Sequence, residues 1–242
     1  MTVKAERGYV IPAFNTADID YERCANQLRE SILDFHPTAD ITILTNDDIP
    51  VNLNGYANDW WAYKLSPYRQ TIKSEADMLA CSEIDHWWTL LENRDVVIST
   101  NCRDIYDNPV VDQVYRQTFI NNNLPNVYNA ITYWRRSQLA KEFFTTVKHI
   151  FEHWKSFTAL LKYTNELPNT DLAYAIAATI IGPDKVTMPF AGYPRIVHMK
   201  RGVVPIRGTD WTQELVWEKS PMRIQTQVQW GLLHYHIKTW QL

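Results

Sequence analysis

Glycine is scarce in this 242-residue chain, with seven in all. The N-terminal segment Gly8-Tyr-Val-Ile-Pro-Ala-Phe14-Asn-Thr-Ala-Asp18 has none of the glycine-rich character of a phosphate loop, which counts against a nucleotidyltransferase. Cysteine is scarcer still. Cys24, Cys81 and Cys102 are far apart and form no CxxC pair, so neither a zinc ribbon nor a disulfide framework is indicated and a reducing compartment is expected. No sign of charge dominates: 24 basic against 27 acidic residues leave −3, which argues against a general binder of nucleic acid or anionic membranes. Long apolar runs are missing too. The longest, Leu172 to Ile181, falls short of the ~20 residues of a membrane-spanning helix, and Gly8–Phe14 is too short for the core of a signal peptide. The expectation is a cytoplasmic protein with no membrane partner.

What is present is a composition 45% hydrophobic and 21% charged, with ten Trp and 13 Tyr. Such a chain buries a full core, and its length fits one large domain. The first fifty residues read as β-α-β. Gly8–Phe14 is an apolar run followed by a polar turn. Tyr21, Cys24, Ala25, Leu28 and Ile32 then recur at helical spacing behind Asp18 or Asp20 as N-cap, and Asp40–Thr45 is a second strand. An irregular stretch follows from Pro50 to Pro67, then a strand at Thr71–Lys73. Ser82, with Asp85 three residues on, reads as a capping box opening a short helix. Strands are expected at Asp95–Ser99 and Val127–Trp134. A long helix follows behind Ser137, and another runs from near Asn169 to Gly182-Pro183. The remainder alternates short strand candidates at Lys185–Met188, Arg195–His198, Gln227–Trp230 and Leu232–Ile237. This order of elements is α/β with an elaborated C-terminal part.

The chemistry concentrates where the strand at Thr71–Lys73 runs out. Glu75 and Asp77 are one residue apart, and along an extended chain positions i and i+2 face the same way. The carboxyl end of a strand is where open α/β sheets bind ligands. Paired carboxylates there suit Mg²⁺ or Mn²⁺, which can also hold a diphosphate.

In order and spacing, these segments resemble the GT-A-type nucleotide-sugar glycosyltransferases, the family-8-like group and related phage proteins in particular. The segments are AFNTADIDYERCANQLRESI, ITILTND, SPYRQTI leading into Glu75-Ala-Asp77, Ile84-Asp85-His86-Trp87, LPNVYNAITYW, Asp171 on its helix, and Val197-His198-Met199-Lys200. The resemblance covers most of residues 8–200. It implies a single GT-A-like, Rossmann-like domain with a mixed central sheet, residues 8–100 forming the nucleotide-sugar half and 101–242 the acceptor side. It implies a metal-dependent transfer of a sugar from a nucleotide diphosphate, retaining in the family-8-like group, with a UDP-sugar as donor.

Carried over residue by residue, the resemblance assigns Ala13, Phe14, Asn15 and Thr16 to the base and ribose. Lys64 and Arg69 go to the diphosphate or donor sugar, Asn129, on the acceptor-side strand, counts among the donor-binding residues, and Asp171 goes to the sugar being transferred, or to base catalysis if configuration inverts. The metal falls to Asp77, Glu75 and His198. His234, in His234-Tyr-His236-Ile-Lys-Thr-Trp240, is the alternative, because both histidine segments partly match the closing motif. His234 and His236 alternatively belong to a half-exposed surface ribbon beside Gln225, Gln227 and Gln229. Two departures stand out: glutamate replaces the first aspartate of the metal motif, and Ile131 stands where the family has glycine after Asn-Ala. Both leave open a binding protein that kept the scaffold and lost the chemistry. The acceptor is not legible. A modified DNA base enters only through the phage resemblance, and the acidic balance lends it no support.

Overall fold

The computed structural model describes residues 5–53, 55–104, 108–110, 116–164, 167–188, 195–198, 204–207, 214–219, 222–227 and 231–235. In chain order the elements begin with β1 (Ala5–Pro12), α1 (Tyr21–Phe35), β2 (Ile41–Leu44), 3-10 turns at Asn46–Asp48 and Gly55–Trp60, α2 (Trp61–Leu65), β3 (Tyr68–Ser74), β4 (Met78–Ala80) and α3 (His86–Leu91). They continue with β5 (Val96–Ser99), β6 (Asn101–Asp104), α4 (Gln117–Asn121), β7 (Tyr128–Arg135), α5 (Gln138–Glu152), α6 (Trp154–Leu161), α7 (Thr170–Ile181) and α8 (Pro183–Val186). Last come β8 (Arg195–His198), β9 (Val204–Arg207), β10 (Glu214–Lys219), β11 (Met222–Gln227) and β12 (Leu232–His234).

The central sheet has the order β2-β1-β3-β7-β5. β1 lies parallel to β2 and β3, and β7 runs antiparallel to both β3 and β5. The sheet is therefore mixed, as the resemblance implies, with β7 its reversed strand. Alternation sorts its two faces. Tyr9, Ile11, Ile72 and Tyr133 pack into one apolar layer with α1 and α3, while Val10, Ile98 and Trp134 pack into the other with α5 and α7. A sheet covered on both faces needs such two-sided burial.

Gly8 is fixed by packing: a Cβ there would enter the ring of Tyr68, whose hydroxyl is held 2.8 Å from Thr42 Oγ1. The helix starts are set by side chains. Asp20, Ser137 and Asn169 each accept from a backbone N–H three residues on, capping α1, α5 and α7.

A second sheet, β4-β12-β8-β6, packs on the α1 side, with β12 antiparallel to β4 and parallel to β8. Leu232, Leu233 and Tyr235 are fully buried. A three-stranded antiparallel sheet, β11-β10-β9, completes the elaborated part.

Four local expectations change. The segment between Pro50 and Pro67 is helical over Gly55–Leu65, tied to α5 by Trp60 Nε1 donating to Phe144 O at 2.7 Å. Ser82 does not cap α3, because its hydroxyl accepts from Gly231 N at 2.9 Å; Asp85 occupies the N-cap position. Of the strand expected at Lys185–Met188, Lys185 and Val186 instead close the short helix α8, because Pro183 at its first position pre-sets the helical φ, and Thr187 makes only an isolated bridge to Ile98. β11 pairs with β10 and not with β12, so Gln225 and Gln227 do not flank His234. Of the two expected C-terminal strands, residues 228–230, His236 and Ile237 lie outside the described residues.

Candidate active site

The parallel strands β1, β2 and β3 end at one edge of the central sheet, and the reversed β7 begins there. The turns that leave this edge converge. Asn15 N donates to Asn46 Oδ1 at 2.7 Å, joining the ends of β1 and β2. Glu75 N donates to Ala130 O at 2.9 Å, joining the end of β3 to the start of β7. The N-terminus of α7 is drawn to the same edge, where Asp171 Oδ1 accepts from Asn129 N at 2.6 Å. Between them opens a cavity of about 620 Å³, lined among others by Phe14, Asn15, Thr16, Tyr21, Asp59, Glu75, Asp77, Asp171, His198 and His234.

Glu75 and Asp77 turn to one point, and His234 completes it. Ligand atoms of Glu75, Asp77 and His234 lie within 4.8 Å of one another, with His234 Nε2 3.2 Å from Asp77 Oδ2 and 3.5 Å from Glu75 Oε2. Two carboxylates and an imidazole suit Mn²⁺ or Mg²⁺.

The register decides which histidine this is. His234 is the Cα partner of Met78 on one side and of His198 on the other, and Tyr235 N donates to Asp77 O at 3.1 Å. Residue 234 is thereby seated beside residue 77. His198, one strand further out, lines the cavity and meets Nδ1 of His234 with its own Nδ1 at 3.2 Å. The structure thus places His234 in direct reach of both carboxylates, whereas the chain order favours His198.

Burial pushes the Glu75 carboxyl up to about 7, with His234 and Lys73 pulling the other way. Its side chain keeps 29% of its surface, and it lines the cavity, so it lies deep in the protein although it is not sealed. A proton held there competes with a metal ion.

Asp171 lines the cavity at the start of α7, but its oxygens are engaged from behind. Oδ2 accepts from Arg116 Nη2 at 2.5 Å and Oδ1 from Asn129 N. Arg116 is itself buried, lying over the Tyr128 ring at 3.6 Å and donating to Val127 O at 2.7 Å.

Asn129 does not line the cavity. It is fully buried, and its polar atoms serve its neighbours: Nδ2 donates to Asp59 Oδ2 at 2.9 Å, O accepts from Lys73 Nζ at 2.9 Å, and Oδ1 accepts from Thr132 Oγ1 at 3.2 Å. Ala13 is likewise buried in the core, while Phe14, Asn15 and Thr16 reach the cavity.

Lys64 and Arg69 are elsewhere. Lys64 is exposed in the last turn of α2, and Arg69 pairs with Glu6 at 3.5 Å on the surface. Arg69 precedes Glu75 by six strand-like residues, about 20 Å of extended chain, and β3 runs toward the site from there.

Three residues that carry polar structure here escaped the sequence reading: Arg116, and Lys73 and Asp59, whose Nζ and Oδ1 are 2.6 Å apart. Lys73 alternates with Ile72 in a strand and so faces the α7 layer, a signal visible in the sequence. Asp59 lies in the stretch read as irregular.

No protein-family model matches the sequence, and no curated protein matches it. Solved structures do. The galactosyltransferase LgtC, in complex with donor and acceptor sugar analogues, is 13% identical with a TM-score of 0.42, over 70% of each chain. The apo form of mouse xyloside xylosyltransferase 1 is 9% identical with a TM-score of 0.46, over 76% of this chain and 84% of that one. A glycosyltransferase involved in glycosylation of the major capsid of PBCV-1 is 11% identical with a TM-score of 0.37, over 74% and 77%. At these TM-scores the likeness carries no argument about activity; the chain is an α/β protein with a mixed central sheet, and the solved structures it is similar to are glycosyltransferases.

Proposed function

We propose that this protein is a GT-A-type glycosyltransferase that takes its sugar from a nucleoside diphosphate held through a divalent cation. The observation that carries the reading is the charge pattern of the cavity. Asp59, Glu75, Asp77 and Asp171 all line it, and among the described residues no lysine or arginine does. A diphosphate entering such a site meets four carboxylates and no lysine or arginine among the described residues unless a cation is bound, and Glu75, Asp77 and His234 form the place for one. A cation there would neutralise charge on the departing diphosphate as a Lewis acid.

The chain's own residues then divide the work. Asn15 and Thr16, at the β1–β2 end of the cavity, offer polar groups to a nucleoside, and Tyr21 offers an aromatic face. Asp171 offers acceptor oxygens to the hydroxyls of the sugar, oriented by Arg116 and Asn129 N. UDP as the nucleotide, Mn²⁺ as the ion and retention of configuration follow from the family resemblance.

Thermal unfolding of the protein with UDP, GDP, CDP and ADP, in Mn²⁺ and in EDTA, tests the reading. One nucleotide should stabilise the fold in Mn²⁺ and lose that effect in EDTA. At about 100 times its dissociation constant it should add ~2.7 kcal/mol. Equal stabilisation in EDTA, or none by any of the four in Mn²⁺, counts against it. Metal-dependent hydrolysis of the corresponding nucleotide sugar separates an active enzyme from a silent binding protein.

A further inference from the structure

Glu75, Asp77 and His234 account for the metal end of the cavity and leave Asp59 without a role. Asp59 lines the same cavity from the 3-10 turn Gly55–Trp60. Its three partners come from β3, β7 and α7: Lys73 Nζ at 2.6 Å from Oδ1, and Asn129 Nδ2 at 2.9 Å and the Tyr174 hydroxyl at 3.2 Å donating to Oδ2. Asn129 also ties Asp59 to Asp171, whose Oδ1 accepts from Asn129 N. The two carboxylates therefore belong to one rigid corner.

Lys73 is fully buried and Asp59 is 12% exposed, with Asp59 lining the cavity. An apolar side chain of Lys73's length would pack in that layer without an ion to desolvate, so a buried pair is poor evidence of a contribution to stability. What the lysine does accomplish is to fix the Asp59 carboxylate from behind. A carboxylate offers about four acceptor sites. The three bonds above leave Oδ1 able to accept one more, and a hydroxyl can fill it where another carboxylate cannot.

We propose that Asp59 accepts a hydrogen bond from a hydroxyl of the transferred sugar, with Lys73 as the residue that positions it, so that this corner takes an uncharged, hydroxyl-bearing sugar and disfavours a uronic acid. The proposal rests on the glycosyltransferase reading above.

Titration calorimetry in Mn²⁺ tests it, with UDP, UDP-glucose and UDP-glucuronic acid as probes on the wild type, Asp59→Asn, Lys73→Met and the double variant. The double variant removes both charges of the pair, so no buried ion is left alone if a single variant fails to fold. In the wild type, UDP-glucuronic acid should bind at least tenfold more weakly than UDP-glucose. In Asp59→Asn and in the double variant, the affinity for UDP-glucose relative to UDP should fall at least fivefold, with UDP itself within twofold of wild type. The double variant should be no worse than Asp59→Asn, because Lys73 acts through Asp59. An unchanged ratio in both Asp59 variants, or equal binding of the two sugars by the wild type, overturns the proposal while leaving nucleotide binding standing. Failure of the wild type to bind UDP in Mn²⁺ overturns the proposal together with the UDP reading beneath it.

Discussion

His198 and His234 sit side by side and still have different work. His234 Nε2 faces Asp77 and Glu75, and its Nδ1 faces His198, so under the proposed function the inner ring would hold the metal and the outer ring would steady it. Partners of metal-binding histidines matter less than the ligand itself but are not neutral. His234→Ala should therefore weaken Mn²⁺ binding in the presence of nucleotide by at least tenfold, about 1.4 kcal/mol, and His198→Ala should cost less. Calorimetric Mn²⁺ titrations of the two variants decide the order, and a costlier His198→Ala would hand the ligand role to the outer ring. The chain order ranks His198 first, and the strand register reverses that order. Both histidines follow apolar residues in short strands.

At the scale of elements, the site is an edge effect. β1, β2 and β3 deliver their C-terminal turns to one side of the sheet, and β7 starts there, so residues 15, 46, 75 and 130 become neighbours by topology. The alignment of β1 with β3 depends on Gly8, over which the Tyr68 ring lies flush while its hydroxyl is tethered to Thr42. Gly8→Ala should force that buried ring aside and destabilise the protein by about 1–3 kcal/mol, as overpacking in a core does, which urea unfolding would measure. A change below about 0.5 kcal/mol, the size of an ordinary surface substitution, would show that the strands part easily. Helices α1, α5 and α7 and the strands around Thr71, Asp95 and Val127 were legible because periodicity and caps are local. Asp20, Ser137 and Asn169 act as the caps their positions suggested. α8 and the helical turns before Pro67 were not legible, because a single turn carries too few residues to show a period.

Across the whole molecule, the burial of Glu75 links the site to stability. Its carboxyl holds a proton up to about pH 7 in the folded protein and releases it near 4.5, the ordinary value, when unfolded. Folded protein therefore binds more protons between those values, and the stability this group contributes is full below 4.5 and lost as pH rises to about 7. In EDTA, the urea midpoint of Glu75→Gln should lack that downward slope relative to wild type. Mn²⁺, which competes with the same proton, should stabilise wild type increasingly over the same window. Matching slopes in both proteins would mean that Glu75 is not the group responsible.

The sequence by itself determined the α/β class and the carboxylate pair Glu75 and Asp77, because these rest on neighbours within a few residues, while the mixed sheet entered only through the family resemblance. It did not determine the partners that only a fold can bring: His234 reaches Asp77 across 157 positions, Arg116 reaches Asp171 across 55, and Asn129 reaches Asp59 across 70. Lys64 and Arg69 looked right by charge and proximity in the chain, yet Lys64 is exposed in the last turn of α2 and Arg69 sits at the start of β3, far from the end that reaches the site, while Lys73 and Asp59 were brought together beneath it. Side-chain chemistry within a turn is written locally. Which buried cation pairs with which carboxylate is set by strand order and register, and those are properties of the packed sheet rather than of any segment of the chain.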